Sequence, residues 1–216
     1  MDLYCYVIAT DAGSAPNYDP PFTTLAICKP KIRTSAQLGD AVLAFTGADE
    51  SREPHAVRWA GVVKEKLSFA DYWNDRRFAK KKPGQCQRPD NIYQAQPGGH
   101  GFLQVPNRVH DLDAMTKDIG GQFVLIFDPV WRFAGGSPVM PADLGFRMFP
   151  NARRGHRIHT LDSVAWRRLR DWLDDQNRKC VSAAHVQSNK RCEPERSKPR
   201  SLQLRPNTNS RKRRSC

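Results

Sequence analysis

His110, with Asp111 beside it and Asp118 eight residues further on, is the pairing in this chain best suited to proton transfer. An imidazole in a loop with a carboxylate to orient it is a general-base arrangement, although a histidine near acids is equally well a surface residue. Arg33 offers a planar fork that can hold a phosphate or a guanine-like edge through two hydrogen bonds. Its competing fate is a surface ion pair with Asp40 or Asp11, worth about 0 to 1 kcal/mol. Asp11 and Asn17 flank Gly13 and Pro16 in one loop, where they either present an acceptor and an amide to a base or simply cap the turn. Trp59, Tyr93, Trp131 and Phe133 are the stacking candidates, since a base gains roughly 1 to 3 kcal/mol on an aromatic face. Core packing competes for all four, least for Tyr93 and Trp131, which stand beside polar or turn residues. The run Arg153-Arg154-Gly-His156-Arg157-Ile-His159 has the composition of a phosphate contact, carried chiefly by Arg153 and Arg154.

Other chemistries find no support. The chain has no G-x-x-x-x-G-K-[ST], no G-x-G-x-x-G, no zinc-deaminase signature and no G-x-S-x-G elbow. Cys5, Cys28, Cys86, Cys180, Cys192 and Cys216 form no C-x-x-C pair and match no zinc module. Cys180, His185 and Cys192 lie in a Ser/Asn/Lys stretch and read as solvated groups. Neither a metal nor a cofactor is therefore expected. The N-terminus MDLYCYVIAT carries Asp2 and no Lys or Arg, the reverse of a secretory n-region. Apolar runs such as Ala41 to Phe45 and Phe123 to Phe127 fall far short of the ~20 residues that cross a bilayer. The expectation is a soluble protein of the reducing cytoplasm, with no membrane partner.

The elements that must position these residues are mostly strands. Leu3 to Ala9, Phe22 to Cys28, Ala41 to Phe45, Val57 to Lys66 and His100 to Val105 are short, apolar or alternating runs bounded by Gly, Pro, Asn and Asp. Between Lys31 and Gly39 there is room for a helical turn or two. Gln122 to Phe127 and Val130 to Phe133 read as a hairpin about an Asp128-Pro129 turn. Ser68 to Phe78 is a helix with Ser68 as N-cap and Asp71 three residues on, and Leu161 to Gln176 is a second, with an apolar stripe of Leu161, Val164, Ala165, Leu169, Trp172 and Leu173.

Charge divides the 216 residues unevenly. Residues 1 to 149 hold 17 Lys/Arg against 16 Asp/Glu, whereas residues 150 to 216 hold 18 against 6, so nearly all of the +13 lies at one end. No aromatic residue follows Trp172, and from Ala184 onward ten Lys/Arg face two Glu. Such a segment buries too little apolar area to offset its chain entropy. The expected organisation is a domain over 1 to 160, a packed helix over 161 to 178 and a basic disordered tail over 179 to 216. Arg211, Lys212, Arg213 and Arg214 of that tail are suited to nucleic-acid backbone contact.

An ordered set of motifs resembles the family called nucleotide modification associated domain 2. It comprises Asp11, Gly13, Ala15, Pro16 and Asn17; Cys28-Lys-Pro-Lys-Ile-Arg33; Gly39-Asp40-Ala-Val; Tyr72-Trp73-Asn-Asp75-Arg-Arg77-Phe78; Asp90 to Tyr93; then His110, Asp118 and Val124 to Phe133. The resemblance covers roughly residues 1 to 160. It implies an association with prokaryotic and phage systems that modify bases in DNA, and so DNA or a nucleotide, with DNA-modification enzymes, as partners. A weaker likeness, carried by Gly39-Asp40-Ala-Val-Leu and Gly61-Val-Val-Lys-Glu65, is to the PUA and EVE group of small barrels, which take a base into an aromatic pocket.

Together these readings predict an α+β protein built on a small, mainly antiparallel barrel of PUA/EVE type, with flanking helices and a disordered basic C-terminal tail. The expected function is recognition of a modified base or nucleotide through Asp11, Asn17, Arg33, Tyr93 and Trp131. The alternatives are an enzyme using His110 and Asp118, and an interaction module whose tail alone touches nucleic acid.

Overall fold

The first strand shows how the sheet is built. In β1, Asp2–Ile8, side chains alternate between two apolar environments, Leu3 and Cys5 on one side and Tyr4, Tyr6 and Ile8 on the other. A strand buried on both faces must lie inside the sheet with layers packed above and below it. The computed structural model describes residues 1–8, 12–47, 56–99, 101–133, 136–144 and 155–190, with side chains to residue 180. In it β1 pairs in parallel with β3, Ala41–Thr46, and antiparallel with β8, His156–Thr160. The full order is β2-β7-β4-β3-β1-β8, where β2 is Thr23–Leu25, β4 is Val57–Ser68 and β7 is Phe123–Arg132. A second sheet pairs β5, Tyr93–Ala95, with β6, Phe102–Gln104.

Helices cover the faces. α4, Ser163–Lys190, lays Leu169 and Leu173 against Leu3, Leu43, Phe45 and Trp131. On the opposite face α1, Pro30–Ser35, contributes Ile32 to a cluster with Tyr4, Tyr6, Trp59 and Phe127. α2, Phe69–Asn74, packs with Tyr93 and Ile92 over the β7 end of the sheet, and α3, Met115–Ile119, completes the set. Ser68 caps α2 as expected, its Oγ accepting from the Asp71 N–H at 3.1 Å.

Several expectations are corrected. The sheet is open: β2 and β8 are its two edges, and no pairing joins them among the described residues. With both faces already covered, the apolar surface is buried without curling closed, so the PUA/EVE-type barrel is not what this sequence forms. The Asp128-Pro129 hairpin is instead the single strand β7. β2 ends opposite Phe127, so the proline falls where β7 has a neighbouring strand on one side only, and β4 adjusts its register there. The helix expected to stop at Gln176 runs on to Lys190, and His156 and His159 belong to strand β8. Residues 191 to 216, the rest of the basic tail, lie outside the described residues. No described helix is long and apolar enough to cross a membrane.

Candidate active site

Between β2 and α1 the chain turns sharply. Cys28 and Lys29 both adopt left-handed backbone, with φ of 57° and 42°, a conformation that costs non-glycine residues energy and persists only where its surroundings fix it. Here they do. The Cys28 N–H donates to Asp118 Oδ1 at 2.7 Å, and the Cys28 carbonyl accepts from Arg33 Nε at 2.8 Å. Pro30 then opens α1, where its missing N–H is no loss.

Arg33 is fully buried, the reverse of the exposed fork the sequence suggested. Its guanidinium donates to the carbonyls of Cys28, Phe123, at 2.6 Å, and Asp118. It thereby ties together the turn, the start of β7 and α3. Close passage is required at Gly121, where a Cβ would sit 2.4 Å from the guanidinium.

His110 is set from the other side, in the loop after β6. Asn107 Oδ1 accepts from the backbone N–H groups of Val109 and His110 at 2.9 Å each, and Gln104 Nε2 donates to the His110 carbonyl at 2.8 Å. The ring then bridges two groups. Nδ1 lies 2.6 Å from Asp118 Oδ2, and Nε2 lies 3.5 Å from Cys28 Sγ. Tyr93 OH donates to the same Asp118 oxygen at 2.8 Å. Asp118 is wholly buried, His110 keeps 20% of its side chain exposed, and Cys28 is half-buried, so the relay runs outward from the buried carboxylate.

Electrostatics reinforce the line. Burial opposes ionisation of Asp118, but hydrogen bonds from His110, Cys28 N–H and Tyr93 and the His110 charge hold it below the usual carboxylate value. The hydrogen bonds to Asp118 and Cys28 push His110 up to about 10 against its partial burial, making it an imidazolium at neutral pH. Burial and the Asp118 charge raise Tyr93, which stays a neutral donor, and burial lowers Arg33 to about 10, still cationic. A ring nitrogen 3.5 Å from a thiol is an arrangement that can serve nucleophilic chemistry at sulfur.

The donor atoms of Cys28, His110 and Asp118 lie within 4.8 Å of one another, close enough to ask whether they hold a metal. They fit poorly. Nδ1 and Oδ2 face each other at hydrogen-bond distance, leaving no room for an ion between them and only Nε2 and Sγ to share one. The geometry suits proton transfer.

Other candidates are occupied elsewhere. Asn17 is buried, its Oδ1 accepting from Lys81 Nζ at 2.8 Å and its Nδ2 donating to the Arg88 carbonyl. Trp131 Nε1 donates to Asp174 of α4 at 2.7 Å, Trp59 packs edge-on against Phe127, and Phe133 is in the core. Asp11, Arg153, Arg154 and Arg211, Lys212, Arg213 and Arg214 lie outside the described residues. Cys28 was not among the candidate site residues legible in the sequence, where its available signal was a thiol directly ahead of Lys-Pro, the start of a helix.

The model of the family nucleotide modification associated domain 2 matches residues 1–193. The chain belongs to this family. The match takes in β8 and all of α4, beyond the residue 160 to which the motifs extend. No curated protein and no solved structure matches the chain. As its name says, nucleotide modification associated domain 2 ties the protein to nucleotide modification.

Proposed function

We propose that this protein is an enzyme of a DNA base- or nucleotide-modifying system, with Cys28 as nucleophile, His110 as proton carrier and Asp118 as the group that orients and charges His110. The supporting observation is the unbroken line from Cys28 Sγ through both ring nitrogens of His110 to Asp118, which runs from a half-buried cysteine to a wholly buried carboxylate. Recognition of a base by Asn17, Arg33, Tyr93 and Trp131 is less well supported, because the polar groups of all four are committed inside the protein.

In this reading the Cys28 thiolate adds its electron pair to an electrophilic carbon of the nucleotide, forming an S–C bond. The bond to the leaving atom breaks, and that atom takes the proton from His110 Nε2. Now neutral, His110 accepts a proton from the second nucleophile as it attacks the same carbon, the S–C electrons return to sulfur and the thiolate–imidazolium pair is restored. Asp118 and Tyr93 keep the ring turned toward the sulfur throughout.

Site-resolved alkylation by iodoacetamide tests the proposal without knowledge of the substrate. Cys28 is expected to react fastest among Cys5, Cys28, Cys86 and Cys180, and at least about tenfold slower in His110→Ala, with His110→Gln as a second variant if the first melts early. Equal reactivity of Cys28 with and without His110 in folded protein would remove the nucleophile from the reading.

A further inference from the structure

A groove of about 520 Å³ opens between α1 and α3, beside the candidate nucleophile. α1 contributes Lys31, Thr34 and Ser35, α3 contributes Thr116 and Lys117, and His156 of β8 closes one side. Two lysines, the hydroxyls of Ser35 and Thr116 and an imidazole therefore line a common space, Thr34 Oγ1 being committed to the Pro30 and Gly121 carbonyls, and among the described residues no carboxylate lines it.

The charges around it are crowded. Burial lowers the Lys29 ammonium, and Lys117 lowers it further, although the Cys28 charge works the other way. Burial likewise lowers His156, helped by Lys31 and Lys29. Lys29 itself is turned inward, over the Tyr6 ring at 4.3 Å. Lys31 and Lys117 are exposed, so their charges are left for whatever enters from solvent. Like charges held together without a counter-ion gain from a bound anion, and hydroxyls beside them supply the directional hydrogen bonds a tetrahedral oxyanion needs.

Placement supplies the second argument. Lys31 stands three residues after Cys28, and Lys117 directly precedes Asp118. The two elements are fixed together by Arg33 and by Thr34 Oγ1, which donates to the Gly121 carbonyl at 3.1 Å. Whatever the groove holds is thus registered against the Cys28 sulfur by the same struts that set the relay.

We infer that this groove is a phosphate-binding subsite, in which Lys31 and Lys117 hold a phosphate of the nucleotide substrate while its reacting carbon faces Cys28. The inference rests on the reading of Cys28 as nucleophile for what the phosphate is attached to, and on the groove alone for the phosphate itself.

The test is equilibrium binding of the four deoxynucleoside 5′-monophosphates, the matching nucleosides, and a trinucleotide with and without a 5′-phosphate. At least one monophosphate should bind about tenfold or more tightly than its nucleoside. Inorganic phosphate should compete, and Lys31→Gln/Lys117→Gln should erase the difference and flatten its salt dependence. Preference for the 5′-phosphorylated trinucleotide assigns the groove to a terminal phosphate; equal binding of both trinucleotides, still lost in the double variant, assigns it to the strand backbone. Arg108→Gln, in a separate groove of about 630 Å³ lined by Arg88 and Arg108, is the charge control and should change nothing. The inference is overturned if no monophosphate outbinds its nucleoside, if the double variant binds like wild type, or if Arg108→Gln causes the loss instead. Alkylation of Cys28 in the double variant separates the two claims, since Cys28 should remain the fastest-reacting thiol whether or not phosphate binding is lost.

Discussion

Asp118 and Asp90 are both completely buried carboxylates bonded to a tyrosine, yet their surroundings drive them in opposite directions. Asp118 receives a charged imidazole, a backbone N–H and the Tyr93 hydroxyl, and these outweigh burial and keep it ionised. Asp90 receives the hydroxyls of Thr24, at 2.5 Å, and Tyr72, at 2.8 Å, and its own backbone N–H, with the Lys81 charge acting at longer range, and burial prevails, raising its pKa. Lys81 is itself enclosed, bonded to Asn17, and lowered by burial. One network ends in a half-exposed thiol and the other has no reactive end at the surface. The difference separates polar groups that hold a fold together from polar groups that can act on something else, and enclosure alone does not make that distinction.

Substitutions in the two networks should therefore fail in different assays. The largest effect expected is on rate: His110→Ala should lower nucleoside conversion, followed by mass analysis, about 100 to 10,000-fold while Asp90→Ala leaves the rate per folded molecule unchanged. A comparable rate loss in folded Asp90→Ala would erase the contrast. Stability should show the reverse. Asp90→Ala leaves the Tyr72 and Thr24 hydroxyls with only their long bond to each other and removes a carboxylate that acts on Lys81, costing about 2 to 5 kcal/mol in urea denaturation.

Acid and base sharpen the comparison further. His110 is raised from its ordinary 6.5 to about 10, so its contribution to stability is complete below pH 6.5 and disappears as pH rises through about 10. The stability gap between wild type and His110→Gln should close across that interval. Asp118, lowered from 3.8, adds stability above that value and loses it as pH falls through its lower folded value. Asp90, raised from 3.8, does the opposite: its contribution is complete below 3.8 and is lost as pH rises through its folded value. Stability curves against wild type should slope below about 3.8 for Asp118→Asn and above it for Asp90→Asn, in opposite senses. The smallest effect is that of Tyr93→Phe, which deletes one of several bonds to Asp118. It should cost about 1 kcal/mol and slow Cys28 alkylation only a few-fold.

What the sequence revealed divides along similar lines. β1, β3, β4 and the Ser68-capped start of α2 are written in local patterns of alternation and capping, and they are where those patterns place them. His110 and Asp118 were legible as a pair because eight residues separate them. Cys28 was not, since its partner in the relay is 82 residues away and no local pattern marks a thiol that will meet an imidazole. Arg33 was read as a surface fork because its three carbonyl acceptors come together only in the fold, two of them some 85 and 90 residues distant. Asp128-Pro129 is a turn signal in any short window, and the edge position that lets a strand tolerate it is set by β2, a hundred residues earlier in the chain. The open sheet was hidden for the same reason: strand order is a property of pairs, and the resemblance to small barrels supplied an order that the pairs do not adopt.

The position of β1 has a consequence for how the chain is made. Residues 2 to 8 leave the ribosome before residues 41 to 46, with which they pair, and their other flank must wait for residues 156 to 160. Until those arrive, the nascent sheet presents Leu-Tyr-Cys-Tyr-Val-Ile as an uncovered, apolar rim, the kind of edge on which neighbouring chains template one another. β8 ends that exposure. Its His-Arg-Ile-His-Thr run gives the finished sheet a short polar border in place of a sticky one, so a late strand of the sheet protects an early one.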